Sequence, residues 1–206
     1  MHDVARSVEL GPNPYEETLS AIATTMASFD EDGLIPFFGF ASKASGDRSV
    51  FPLAPAGANA DDAPCEGLDQ VLETYRSQVP RIAPGATRSL VPIVRKAIEV
   101  AAAADKAGAP REMLIVLCIV AGDSGGRIAL NSALVDASRY PIAFVIVGVG
   151  AGPFTDLERF DGELGQRLFD NVLVVKLEEV KSACKAALPH GCCPQKLFRS
   201  EEHTSE

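Results

Sequence analysis

The spacing of hydrophobic positions divides the chain into helical and extended segments. Apolar residues from Tyr15 to Phe29 recur three and four positions apart, which predicts an amphipathic helix. Asn13 is placed to cap this helix, and Pro14 suits its first turn. The same spacing predicts further helices over residues 65–79, 90–104, 129–139, 155–160 and 178–187, with Ser89 as the cap of the helix that begins at residue 90.

Three other segments are apolar at nearly every position, namely residues 113–121, 141–149 and 172–177. A strand with this composition is buried on both faces, as parallel strands flanked by helices are. The first of the three is the most uniformly apolar and is predicted to be the most central strand. A shorter apolar run, residues 34–40, is predicted to be a further strand, although it contains Pro36.

The order of these elements, strands alternating with helices, predicts the fold class. It is an α/β fold with a doubly wound, mostly parallel sheet and helices on both faces. With 206 residues, of which 47% are hydrophobic, the chain is long enough for one domain with a sizeable core. In such a sheet, ligands bind beyond the carboxyl ends of the strands.

Composition narrows the possible partners. The formal net charge of -9 would repel nucleic-acid phosphates, so direct nucleic-acid binding is not expected. No apolar run approaches the ~18 residues that a membrane-spanning helix needs. The number of cysteines is odd, five, and Cys118 lies inside an apolar strand, which favours a reducing intracellular compartment.

Both ends of the chain look atypical. Residues 199–206 resemble the translation of a sequencing-library adapter and are expected to be a non-native tail. Only a short stretch precedes the first helix, which leaves no room for an apolar strand before it. The chain is therefore expected to be a fragment of a longer protein.

The segment Gly122–Gly126, with the sequence GDSGG, suggests a catalytic serine. A strand precedes it and a helix follows, as in the nucleophile turn of α/β-hydrolases, and His190 lies downstream where a base would. A serine hydrolase with Ser124 as nucleophile is therefore the alternative function. The glycines at 148, 150 and 152 are spaced differently from a dinucleotide fingerprint, so a tight turn is preferred there.

A second reading of the same turn is a metal site. Asp123 stands just past the end of the strongest strand, and Thr87, Ser89 and Ser124 lie in or beside similar loops. A carboxylate, hydroxyl groups and waters form the oxygen shell that Mg²⁺ prefers. Such a site can hold a carboxylate of a partner protein without catalysis.

Several segments resemble one family in its own order. The chain is similar to the von Willebrand factor A-type domain of the copines, and most closely to the copine-like domain of plant RING-type ubiquitin ligases. The segments that match are NPYE (13–16), FDEDGLIP (29–36), FGF (38–40), PIAFVIVGVG (141–150), GP (152–153) and FDN (169–171).

The resemblance implies a protein-interaction module over residues 1–198, which docks partner proteins at the carboxyl ends of its strands. It implies that the central first strand of the domain is missing from this chain. The module itself is expected to be non-catalytic, and its parent to be a ubiquitin ligase that acts in protein ubiquitination. The implied location is the cytoplasm, with the nucleus or the periphery of a membrane as further sites.

The family also implies a metal-ion-dependent adhesion site, which this chain matches in a degenerate form. Thr87 falls at the position of the family's metal-binding threonine, with one extra residue, Arg88 or a neighbour, after it. Asp123 falls one position away from the family's aspartate, because acid and glycine are exchanged. Residues 3–7 share only two residues with the family's D-x-S-x-S motif. Thr87 and Asp123 are thus the predicted ligands of Mg²⁺.

Overall fold

The computed structural model describes residues 11–26, 32–110, 112–161 and 167–187. The helices of this part are α1 (Pro14–Met26), α2 (Gly67–Gln78), α3 (Val91–Ala107), α4 (Arg127–Ala137), α5 (Thr155–Glu158) and α6 (Leu177–Ala187). The strands are β1 (Leu34–Ile35), β2 (Phe38–Gly39), β3 (Phe51–Pro52), β4 (Cys65–Glu66), β5 (Leu114–Val120), β6 (Ile142–Gly148) and β7 (Val172–Lys176). Short 3₁₀ turns, Val79–Arg81 and Arg159–Asp161, follow α2 and α5.

The main sheet is parallel and three-stranded, in the order β5-β6-β7. Leu114 pairs with Ile142 at the start of β5, and Phe144 pairs with Val172 at the start of β7. All three strands therefore end at the same edge of the sheet. The loops that follow them are the place where this fold class positions a site.

Helices cover both faces of the sheet. The core on one face includes side chains of α3, α4 and α5, such as Leu134, and the core on the other includes α1, α2 and α6, such as Val71. Successive residues of β6 contribute to opposite cores, with Ile146 in the first and Val147 in the second. The predicted fold class, a doubly wound α/β domain, is confirmed.

Helix α1 begins as its sequence predicts. The side-chain Oδ1 of Asn13 accepts hydrogen bonds from the backbone N–H groups of Tyr15 at 3.0 Å and Glu16 at 3.1 Å. In return, Glu16 Oε2 accepts the N–H of Asn13 at 2.9 Å, which completes a reciprocal cap. Glu16 is fully buried, and its other oxygen pairs with Arg76 of α2 at 2.5 Å. The cap thus also joins α1 to α2.

The prediction of one strand over residues 34–40 is wrong. Residues 34–40 do not form a strand of the parallel sheet: β1 and β2 flank Pro36 and pair antiparallel with β4 and β3. Proline has no N–H to donate, so it interrupts any continuous ladder.

The prediction that β5 is the most central strand is also wrong. Within the described residues, β6 lies in the centre of the sheet and β5 at its edge. One face of β5 is therefore less covered than its composition suggests, and Ile115 is 43% exposed. No described segment pairs with the outer edge of β5, which is where the resemblance places the first strand of the family's domain. Residues 3–7 and the expected tail, residues 199–206, lie outside the described part of the chain.

Replacing Asn13 with alanine should lower the free energy of unfolding by about 1 kcal/mol, because two N–H groups of α1 lose their acceptor. Denaturant unfolding followed by circular dichroism measures this loss. Asn59→Ala is the matched control, since Asn59 is exposed in a loop. Equal stabilities for the two variants would show that the cap contributes nothing.

Candidate functional site

Three loops converge at the carboxyl edge of the sheet: residues 84–90 before α3, residues 121–126 after β5 and residues 149–154 after β6. The loops 84–90 and 121–126 line most of an open cavity of about 650 Å³. Its lining is mostly polar or small: Asp47, Ala86, Thr87, Arg88, Ser89, Val91, Asp123, Gly125, Gly126 and Ala129. The sequence placed Thr87, Ser89 and Asp123 at this edge, and the structure brings them to one cavity.

Two hydrogen bonds fasten the first loop to the second. The N–H of Leu90 donates to Ser124 Oγ at 3.0 Å, and the N–H of Gly125 donates to the carbonyl oxygen of Arg88 at 2.7 Å. A Cβ on residue 125 would lie 3.3 Å from that carbonyl oxygen, so glycine allows the close approach. Since Ser124 is only 4% exposed, its hydroxyl is a structural acceptor inside the wall of the cavity.

Asp123 is committed to the third loop. Its Oδ1 accepts the backbone N–H of Asp156 at 2.9 Å and that of Leu157 at 3.3 Å. Both N–H groups belong to the first turn of α5, where no residue of the helix itself supplies a side-chain cap. The carboxylate therefore caps α5 from a distant part of the chain, by accepting two N–H groups that the first turn of a helix leaves without a partner.

The two hydroxyl residues of the first loop differ in their contacts. Thr87 is exposed and lines the cavity. Ser89 is half-buried, and its Oγ accepts the N–H of Val91 at 3.3 Å. Helix α3 itself begins at Val91, so the predicted capping role of Ser89 is carried out from one residue further outside the helix than expected.

Arg88 is the site residue that the sequence reasoning did not single out. Its side chain is exposed and lines the cavity beside Gly122, where a Cβ would lie 3.3 Å from one of its terminal nitrogens. Burial raises the pKa of Tyr15 in α1, and the positive charge of Arg88 opposes that rise. A terminal nitrogen of Arg88 therefore lies beside the 121–126 loop. The one-residue insertion after Thr87 was the signal that could have found it.

These residues fit a divalent cation poorly. Among the described residues, two carboxylates line the cavity, those of Asp47 and Asp123, and one oxygen of Asp123 already accepts two backbone N–H groups. Among the described residues, no three histidine, cysteine, aspartate or glutamate side chains come together in a way that could hold a metal. The cation of Arg88 in the same cavity further disfavours a second positive charge. Magnesium binding by Thr87 and Asp123 stays a prediction.

The hydrolase alternative gains no support from the geometry. A catalytic serine must present its hydroxyl to a substrate, whereas Ser124 Oγ is buried and bonded to Leu90. The proposed base, His190, lies outside the described residues. The glycine that ends β6 also has a structural cause, because a Cβ on Gly148 would lie 2.8 Å from the ring of Phe154.

Fold and site together define a class: a doubly wound α/β domain whose polar cavity lies at the carboxyl ends of its strands. The copine family model matches residues 2–192, and the chain belongs to the copine family. E3 ubiquitin-protein ligase RGLG5 of Arabidopsis thaliana is 33% identical over 181 residues, which are 83% of this chain and 40% of that relative. Copine family protein 2 of Caenorhabditis elegans is 32% identical over 169 residues, 82% of this chain and 2% of that relative.

The chain thus spans less than half the length of these relatives. Among solved structures, manganese-loaded Plasmodium vivax TRAP protein matches with a TM-score of 0.49 and 12% identity. The match covers 82% of this chain and 64% of that one, and it is too loose to bear on metal binding. Within the described residues, none of the helices is both long and apolar enough to cross a membrane.

Replacing Ser124 with alanine should lower the free energy of unfolding by about 1–3 kcal/mol, because the buried N–H of Leu90 loses its acceptor. Denaturant unfolding measures the loss. Ser89→Ala is the matched control and should cost less, since its bond is longer and half-buried. If Ser124→Ala were as stable as the wild type and wild-type Ser124 reacted with a fluorophosphonate probe, the hydrolase reading would replace the structural one.

Proposed function

We propose that this chain is a protein-interaction module that docks partner proteins at the carboxyl ends of β5 and β6. The observation that carries the proposal is the open cavity of about 650 Å³ between the 84–90 and 121–126 loops. Its wall is held by backbone and buried side-chain hydrogen bonds, while Thr87 and Arg88 remain exposed on it. A rigid wall that carries exposed polar groups is suited to binding a protein segment.

The same surface continues on α4. Ile128, in the first turn of that helix, is 85% exposed, although it is a large apolar residue. It directly precedes Ala129, which lines the cavity. An exposed apolar side chain beside a polar cavity is the combination found in protein interfaces, where an apolar contact adds affinity and polar groups fix the orientation.

We further propose that the module belongs to a ubiquitin ligase and selects proteins for ubiquitination. Support comes from the 33% identity to an Arabidopsis E3 ubiquitin-protein ligase over 83% of this chain. The module would supply the partner contact, and the transfer of ubiquitin would take place on another domain of the parent protein. The sequence of the parent gene tests this, because the proposal requires a RING-type array of paired cysteines with a histidine in the same protein.

Docking at this face does not require a metal in our proposal, because Asp123 acts as the cap of α5. Asp123→Ala should therefore lower the free energy of unfolding by about 1–2 kcal/mol, and the loss should be the same in about 5–10 mM Mg²⁺ as in EDTA. Thermal unfolding followed by circular dichroism measures both conditions. Asp123→Asn keeps an acceptor oxygen and should lose less.

A bound ion would give the opposite pattern. Mg²⁺ would raise the midpoint of thermal unfolding of the wild type and leave that of Asp123→Ala unchanged, because a ligand stabilises only the state that binds it. That result would restore Thr87 and Asp123 as metal ligands. It would leave the docking face in place and change how it holds a partner.

The docking face itself is tested by site-specific photo-cross-linking in cells. A benzoylphenylalanine at position 128 should form covalent adducts with partner proteins. The matched control is position 139, where the exposed Arg139 lies between α4 and the start of β6, at the opposite edge of the sheet. Adducts of equal yield at both positions, or at position 139 alone, would contradict docking at the strand ends.

A further inference from the structure

We propose that this face recognises an acidic side chain of the partner directly through the guanidinium of Arg88, without a bridging metal ion. The ligand class is an extended protein segment in which an aspartate or glutamate is followed by an apolar residue. The inference rests on the proposed docking function and specifies its ligand. Arg88 binds the carboxylate, and Ile128 packs against the apolar side chain that follows.

The first support is the state of Arg88. Its side chain is exposed in the cavity wall, and none of the ion pairs among the described residues includes it. Five other exposed arginines also form no ion pair among the described residues, but none of them lines the cavity: Arg48, Arg81, Arg95, Arg127 and Arg159. An arginine that lines a cavity and pairs with no described carboxylate is available for a carboxylate from outside.

The second support is that the backbone carrying Arg88 is anchored to the cavity wall. The carbonyl oxygen of Arg88 accepts the N–H of Gly125. Two residues further along the chain, the N–H of Leu90 donates to Ser124 Oγ. The backbone on both sides of the arginine is thus anchored to the 121–126 loop. Less conformational entropy is lost when an anchored residue binds a ligand, so the arginine is a stronger recognition element than a mobile surface lysine.

The acidic groups of the cavity act on an incoming carboxylate in different degrees. Asp123 shares its charge with two backbone N–H groups of α5, which partly neutralise it. Asp47 is exposed on the rim, and its like charge weakens the binding of an acidic ligand. The effect of removing the charge of Asp47 therefore distinguishes the two modes of binding. The affinity for an acidic ligand should rise if Arg88 binds it directly and fall if a metal ion bridges the two.

The apolar part of the motif follows from Ile128. At 85% exposure it is the most exposed large apolar side chain among the described residues. Arg88 lines the cavity, and so do Gly126 and Ala129, which lie two residues before and one residue after Ile128. One short segment can therefore reach both Arg88 and Ile128. A partner side chain that covered Ile128 would remove its apolar surface from water and add affinity to the charged contact.

The test uses a capped hexapeptide with aspartate and leucine as its central residues, and the whole 206-residue chain in EDTA. Amide chemical shifts in nuclear magnetic resonance follow the titration. We expect the signals of Gly125, Gly126 and Ile128 to move with the aspartate peptide and to stay unchanged with the asparagine peptide. Arg88→Gln should weaken binding about tenfold, the loss of one charged hydrogen-bond pair, and Arg88→Lys should weaken it less.

Two further variants complete the design. Asp47→Asn should strengthen binding about twofold, because an exposed like charge is removed. Arg139→Gln is the matched control, since it removes an equal charge from the opposite edge and should leave the affinity unchanged. Replacing the leucine of the peptide with serine should reduce the shift of Ile128.

The proposal is overturned if the aspartate peptide binds only with Mg²⁺ present, if it binds Arg88→Gln as well as the wild type, or if it does not bind at all. Such a failure is distinct from a failure of the docking function. If position 128 still cross-links to partner proteins in cells, the face docks partners and only the acidic motif is wrong. If neither experiment gives a positive result, the docking function falls with the inference.

Discussion

The site depends on the contact between two loops that are far apart in sequence. Ser124 Oγ accepts the N–H of Leu90, and the carbonyl of Arg88 accepts the N–H of Gly125. Without these bonds, buried backbone groups at the entrance to α3 would lack partners, at a cost of about 1–3 kcal/mol each. The same contact determines where Thr87 and Arg88 stand. The start of α3 and the shape of the cavity therefore depend on the same contact.

This contact also explains why the GDSGG segment has a composition that resembles a catalytic motif. Ser124 supplies a buried acceptor, Gly125 permits the close approach of the 84–90 loop, and Asp123 caps α5 from outside. Each residue has a structural role at the end of a buried strand. A carboxylate, a hydroxyl and glycines at a strand end are thus compatible with a fastening between loops as well as with catalysis.

Local signals in the sequence predicted the local parts of the structure. The cap of α1 is defined by residues 13–16 alone, and the long apolar segments at β5 and β6 define strands that parallel pairing then places in one sheet. The short strands β1 and β2 were misjudged because their pairing is non-local. Their partner strands are only two residues long, and β4 occupies the first two residues of the predicted helix over residues 65–79. The edge position of β5 likewise depends on what lies beside it, which its own composition does not report.

The candidate site divides in the same way. Asp123 was placed correctly beyond a strand end, but its role as a cap depends on α5, 33 residues further along the chain. Arg88 was missed because its place in the cavity wall follows from a contact between segments separated by 34 residues. An insertion beside a family motif was visible in the sequence. Only the structure shows that this insertion places the cationic Arg88 in the cavity where the family implies a metal ion.

The central claim is that this face holds an acidic group through Arg88. A double-mutant cycle on a partner identified by cross-linking measures that contact most directly. Arg88→Gln is combined with the change of the partner's acidic residue to its amide, and affinities are determined in EDTA by calorimetry. We predict a coupling energy of about 1.5 kcal/mol or more, as found for close charge pairs at interfaces. Strictly additive effects of the two changes would contradict the account.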